Sequence, residues 1–272
     1  MTERLGHGIK TFTGTQLKWI AMILMLIDHT AAVVLTSYMA SSADSPGTAV
    51  IVIYYIMRIL GRPAFPIFCF LLVEGFHYTH DRQRYLLNLT IFALVSEIPF
   101  DLALNGALLE FGGQNVFFTL SIGLAAIWLV EHFEGKKILQ FLSVFVCAVL
   151  AELLSTDYAS LGVLLIVIFY EFRNQRWKLF AVGTAWLWLG ACLNNLMNIH
   201  IGLYPEEMWG TVLIAVMKNG VLELCGALAF LFISQYNGTR GKSLPKYFFY
   251  AFYPGHLLIL YGIARLVTGM GM

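Results

Sequence analysis

The stretch LKWIAMILMLIDHTAAVVL (Leu17–Leu35) decides how the chain is read. It is apolar almost throughout, and at about 1.5 Å per residue it is long enough to cross the ~30 Å hydrocarbon core of a bilayer. Yet Asp28 and His29 sit near its middle. A charged side chain at that depth costs about 2.5–3.5 kcal/mol even on insertion scales. Both residues therefore call for partners on other helices, or for a polar cavity.

Working outward, similar runs recur to the end of the 272-residue chain, which is 59% hydrophobic and only 12% charged. An average soluble domain carries about 25% charged residues. The pattern predicts an all-α, polytopic helical membrane protein. Nine spans are expected, near 16–38, 48–78, 85–105, 115–131, 138–155, 159–172, 178–197, 208–235 and 247–268. The second is too long for a simple crossing and holds Gly61, Pro63 and Pro66, so a break is expected there. Breaks are also expected at Pro99 and Pro254. With no repeat or low-complexity tract, residues 1–272 read as a single integral membrane domain.

Lysine and arginine set the expected orientation. Arg4, Lys10 and Lys18 lie at the start. Alternate loops hold Arg82 and Arg84; Lys136 and Lys137; Arg173, Arg176 and Lys178; and Arg240, Lys242 and Lys246. The opposite loops hold none. This predicts a cytoplasmic N-terminus and an external C-terminus. The opening segment MTERLGHGIKTFTGTQ lacks a signal-peptide cleavage pattern, so the first helix reads as an uncleaved anchor. A net charge of +1 offers no global field for nucleic acid. Cys69, Cys147, Cys192 and Cys225 lie inside apolar runs without metal-binding spacing, and read as small buried thiols. No metal site is expected.

The chemistry-bearing residues fall within the spans. His29, Arg58, Lys218 and His256 come out near mid-depth on four different helices, which points to a shared polar cavity. Structural ion pairing is the alternative for each of them. Lys18 and His29 are eleven residues apart, which returns to nearly the same helix face about 16 Å along the axis. That stripe suits a ligand with anionic groups at the cytoplasmic surface and a reactive end held deep, such as an acyl-CoA. Asp28 points about 100° aside of His29 and either orients it or holds its helix against a neighbour. Arg58 and Arg62, at i and i+4, share a face and stay charged, so they bind or stabilise charge and do not act as bases. Glu97 is the expected partner of Arg58 or Arg62. Asp101, Lys218 and Glu223 are the remaining candidates for the polar cavity.

A family resemblance rests on these same stretches. LKWIAMILMLIDHTAAV, MRILGRPAFPIFCFLLVEGF, LTIFALVSEIPFDLAL, QNVFFTLSIGLAAIWL and FYAFYPGHLLILY resemble, in order, the TraX family of bacterial inner-membrane proteins. The family's founding type is needed for N-terminal acetylation of conjugative pilin. The Lys18–His29 spacing and the Arg58/Arg62 helix also resemble membrane acyltransferase type 3 proteins, which move acyl groups from cytoplasmic acyl-CoA onto envelope glycans or lipids by way of a membrane-embedded His. The resemblance implies an acetyl-CoA-dependent N- or O-acetyltransferase acting on a pilin amine or an envelope glycan. His29 would be base or transient acyl carrier, His256 a proton-transfer partner, Lys18 a phosphate contact, and Arg58 or Arg62 an oxyanion contact. A proton-coupled transporter and a non-enzymatic pilin assembly factor remain open. The acids, histidines and broken helices suit a transporter.

Overall fold

The computed structural model describes residues 11–42, 45–197, 209–242, 245 and 247–269, without the side chains of Asn194, Met197, Trp209, Thr211, Lys218 and Asn219. Among the described residues the secondary structure is helical: α1 (Gly14–His29), α2 (Thr36–Ser41), α3 (Thr48–Gly61), α4 (Ala64–Tyr78), α5 (Arg82–Leu104), α6 (Val116–His132), α7 (Lys137–Leu153), α8 (Ala159–Glu171), α9 (Arg176–Met197), α10 (Trp209–Leu224), α11 (Ala229–Ser234) and α12 (Phe248–Val267). Several of these join end to end. A π-helical turn at Thr30–Leu35 links α1 to α2, and a 3₁₀ turn at Cys225–Leu228 links α10 to α11. Among the described residues, four helical runs are long and apolar enough to cross a membrane: Gly14–Ser41, Thr48–Tyr78, Arg82–Leu104 and Val212–Ser234.

Local sequence explains the helix ends. Thr13 and Gln16 form a capping box at the start of α1, each side chain meeting the other's backbone amide. Asp81 caps α5 and Asn115 caps α6 through their side-chain oxygens. The expected interruption of the second long helix is present only as a two-residue lapse: α3 ends at Gly61 and α4 begins at Ala64, while Arg62 and Pro63 keep right-handed helical dihedrals, so the run from Thr48 to Tyr78 continues. The expected breaks at Pro99 and Pro254 are not. Both α5 and α12 run straight through their proline. A proline removes one backbone donor, and the carbonyl this frees is tolerated inside a packed helical bundle.

One buried apolar cluster runs through the bundle, with Leu17, Ile67, Phe76, Leu124, Ile166 and Leu257 among its well-covered side chains. The outward faces are apolar as well, as at Ile53, Tyr55 and Ile56 on α3 and Phe141, Phe145 and Val146 on α7. Of the four cysteines, all are free thiols; Cys69 and Cys147 are buried, Cys192 and Cys225 partly so.

Contacts between loops sort the two ends of the bundle. At one end Gly14 N–H donates to the Thr239 carbonyl, Arg82 pairs with Glu131, Arg173 pairs with Glu74, and Arg176 donates to the Ser234 carbonyl. At the other, Gln114 N–H donates to the Ser155 carbonyl and Asp157 N–H to the Gln114 carbonyl. Each basic loop residue named here sits at the first end.

Where α3 gives way to α4, Gly61 lies directly against α1. A Cβ at position 61 would stand 2.3 Å from Asp28 Cβ and 2.6 Å from Asp28 Oδ1. Gly61→Ala should therefore lower stability by about 1–3 kcal/mol through overpacking. Gly262→Ala, where nothing lies within 4 Å, should be neutral or gain up to about 1 kcal/mol of helix propensity. Thermal unfolding of the two variants in detergent checks this; equal melting temperatures would contradict the close packing at Gly61.

Candidate functional site

The break between α3 and α4 carries Arg62, whose guanidinium is held from two sides. Its Nη2 donates to Asp28 Oδ1 and Oδ2 at 2.8 and 3.0 Å, and its Nη1 donates to Glu223 Oε1 at 2.7 Å. Arg58 Nη1, one turn earlier, donates to Asp28 Oδ2 at 2.6 Å. Asp28 on α1 thus serves both arginines, and Glu223 brings in α10. The residue exposures of Asp28 and Arg62 are 9% and 7%, so the charges are strongly desolvated and each depends on the others.

The next residue on α1 faces a different helix. His29 Nδ1 lies 2.6 Å from His256 Nε2 on α12, and His256 Nδ1 lies 2.9 Å from the Phe252 carbonyl oxygen. The two imidazole planes are 10° from parallel with centroids 4.9 Å apart, so the rings meet edge to edge through their nitrogens. A carbonyl oxygen only accepts, so His256 Nδ1 carries a proton. With both rings neutral, His256 Nε2 is then the acceptor and His29 Nδ1 the donor. This leaves the lone pair of His29 on Nε2, the arrangement a general base requires.

His29, Asp28, Arg58 and Arg62 line one cavity of about 180 Å³, together with Asp157 and Tyr253. That is smaller than the ~300–1,000 Å³ typical of sites enclosing a whole drug-sized ligand. It has room for the reacting end of a molecule and no room for a nucleotide. Leu104, Val116 and Tyr158 complete the wall nearest the end of the bundle away from the basic loops. There the α7–α8 connection is tightly folded: Ser155, Tyr158 and Ala159 all have positive φ (48°, 63° and 39°). Such backbone costs about 1–3 kcal/mol per residue and is held only by firm surroundings. The Tyr158 ring lies flat on Phe65 at 3.7 Å, and Thr119 donates to the Asp157 carbonyl. Burial pushes the Asp157 carboxyl up to about 6, against the opposing pull of the Arg62 guanidinium.

The other expected site residues go elsewhere. Glu97 does not pair with Arg58 or Arg62; it accepts from the Asn115 side chain and joins α5 to the cap of α6. Asp101, fully buried, accepts from Asn105 Nδ2 and the Glu110 amide at 3.1 and 2.8 Å, and so closes the end of α5. Neither acid lines the cavity. Asp28 excludes them because it sits closer in space to both arginines, on a neighbouring helix that sequence distance does not reveal. The Lys218 side chain lies outside the described residues. Lys18 and His29 both face α12, with Lys18 Nζ 4.9 Å from the Phe249 ring centroid. Between them Met22 and Met25 are buried, and Lys18 does not reach the cavity wall. Among the described residues no three His, Cys, Asp or Glu side chains are placed to hold a metal ion.

Sequence reasoning passed over Asp157, Tyr158 and Tyr253. Tyr253 stands three residues before His256, on the face that carries the histidine, and that spacing was the available signal. Nothing in the short 154–158 connection announced that it would fold inward.

Apolar helices around a buried Asp–Arg pairing and a histidine pair define an all-helical protein with a polar internal cavity. The chain belongs to the TraX family, whose model, described as "TraX protein", matches residues 13–264. It is also 29% identical over 258 residues to the "Probable fimbrial assembly protein FimC, serogroup H1" of Dichelobacter nodosus, which covers 92% of this chain and 94% of that protein. No solved structure matches it.

Asp28→Asn should destabilise the protein by about 3–5 kcal/mol, because two desolvated guanidinium groups lose their shared countercharge. Glu223→Gln should cost less, since Glu223 meets a single nitrogen and its side chain is 22% exposed. Ranking the two by melting temperature is the test; a larger loss for Glu223→Gln would mean that Asp28 is not the centre of the network.

Proposed function

We propose that this protein is a nine-pass bacterial inner-membrane acetyltransferase that moves an acetyl group from acetyl-CoA to the N-terminal amine of a pilin. The observation that carries the reading is the His29–His256–Phe252 carbonyl chain, which leaves the His29 Nε2 lone pair uncommitted in a residue that lines a cavity with two arginines. Pilin as acceptor follows from the family and from the name of the fimbrial assembly relative. An envelope glycan is the second acceptor class. Nine crossings, with a cytoplasmic N-terminus and an external C-terminus, are supported by three features. The helices form nine continuous segments among the described residues, their outer faces are apolar, and the basic loops gather at one end.

In this reading the nucleotide of acetyl-CoA stays at the cytoplasmic end, near Lys18 and the neighbouring loop cations. Its pantetheine arm follows the α1–α12 seam and displaces the flexible side chains of Met22 and Met25. His29 Nε2 takes the proton of the attacking amine, and the His29 Nδ1–H bond to His256 stabilises the imidazolium that forms. The acceptor reaches the cavity from the opposite end, past Leu104, Val116 and Tyr158. The runner-up is a pilin assembly factor without chemistry, favoured by the name of the relative alone.

Purified protein incubated with labelled acetyl-CoA and a pilin N-terminal peptide should yield acetylated peptide by mass spectrometry. His29→Ala should lower the rate by about 100- to 10,000-fold with the melting temperature unchanged. Full activity in a folded His29→Ala protein would remove His29 from the mechanism, and no transfer by the unaltered protein would favour the assembly reading. Lys18→Ala should chiefly raise the Michaelis constant for acetyl-CoA, by a factor that shrinks as salt rises, because exposed charges are screened. A pure turnover defect would place the cofactor path elsewhere.

A further inference from the structure

Buried hydrogen-bond donors almost always have acceptors, and one left without an acceptor in a folded protein calls for an explanation. Two such donors belong to residues that line the His29 cavity. The Tyr253 hydroxyl has no hydrogen-bond partner although the residue is only 3% exposed, and Arg62 Nε has none although each of its terminal nitrogens has one. The Val116 backbone amide acts on the Tyr253 hydroxyl. It is itself a donor and addresses only the oxygen lone pair, so the hydroxyl proton still lacks an acceptor. The Tyr253 ring lies edge-on to His29 with centroids 6.0 Å apart, so this donor flanks the proposed base. Arg58 is committed to Asp28 and is not a comparable candidate.

We infer that the Tyr253 hydroxyl, with Arg62 Nε beside it, forms an oxyanion-binding site that takes the carbonyl oxygen of an acyl thioester. This rests on the acetyltransferase reading and adds a catalytic residue to it. The acceptor amine attacks the thioester carbon; a C–N bond forms and the carbonyl π electrons move onto oxygen. That oxyanion accepts hydrogen bonds from Tyr253 and Arg62 Nε. His29 Nε2 takes the proton released by the amine. Collapse of the tetrahedral species breaks the C–S bond, and His29 returns the proton to the departing thiolate, giving the amide and free CoA. Donors fixed in a water-poor site stabilise the charge as it develops and need no reorganisation.

The test uses the full chain in detergent with acetyl-CoA and the pilin N-terminal peptide. Tyr253→Phe should lower turnover about 100-fold and leave the Michaelis constant for acetyl-CoA within about twofold in a protein that still folds, since the hydroxyl proton has no acceptor to lose. In a second arm, a ketone analogue, acetonyl-CoA, should bind the unaltered protein more tightly than S-propyl-CoA, and Tyr253→Phe should abolish that difference. Unchanged turnover in the variant overturns the proposal while leaving acetyl transfer intact. Absence of acetyl transfer by the unaltered protein overturns both this inference and the reading on which it rests.

Discussion

The Asp28 carboxylate accepts hydrogen bonds from both Arg58 and Arg62, and this desolvated pairing constrains everything around it. Two cations and one anion in an apolar interior need a further countercharge, which Glu223 supplies from α10. The arrangement fixes how α1, α3 and α10 approach one another. It also explains the local chain: glycine at position 61 lets the α3 backbone come so close to Asp28.

The same pairing shapes the site. Asp28 and His29 are adjacent on α1, about 100° apart around its axis, so one addresses α3 while the other addresses α12. The terminal nitrogens of Arg62 are held by carboxylates, which leaves its Nε, the histidine pair and the Tyr253 hydroxyl as the groups available to a ligand. A π-helical turn begins immediately after His29 and packs against α12. π-turns recur at functional sites because they turn a side chain away from the regular helical spacing. Here the turn lets α1 satisfy both neighbours without breaking.

Much of this was legible in the chain itself. The length and hydropathy of the apolar runs marked the helices, because backbone groups in an apolar setting must bond within their own segment. Charged residues inside such runs marked the polar interior, and Lys18, His29 and His256 fell on the α1–α12 seam as their spacing required. The prolines misled in two of three places. Whether a proline ends a helix depends on whether neighbouring helices shelter the carbonyl it frees, and that is not written in the local sequence. Pairing was also misassigned: Glu97 seemed available to the arginines, yet Asn115 claims it across the α5–α6 turn.

The sequence alone therefore determined the helical class, the segments, and the residues that had to be paired or placed in a cavity, because desolvation costs depend on residue type and on the apolarity of the run. Tertiary structure decided who pairs with whom. Asp28 and Arg62 are separated by 34 positions and Arg62 and Glu223 by 161. Ion pairing depends on distance in space, and distance in space follows from how whole helices pack. The inward fold of Asp157 and Tyr158 and the unmatched donor on Tyr253 have the same origin. Each is a property of the space left between helices, and no single helix carries that information.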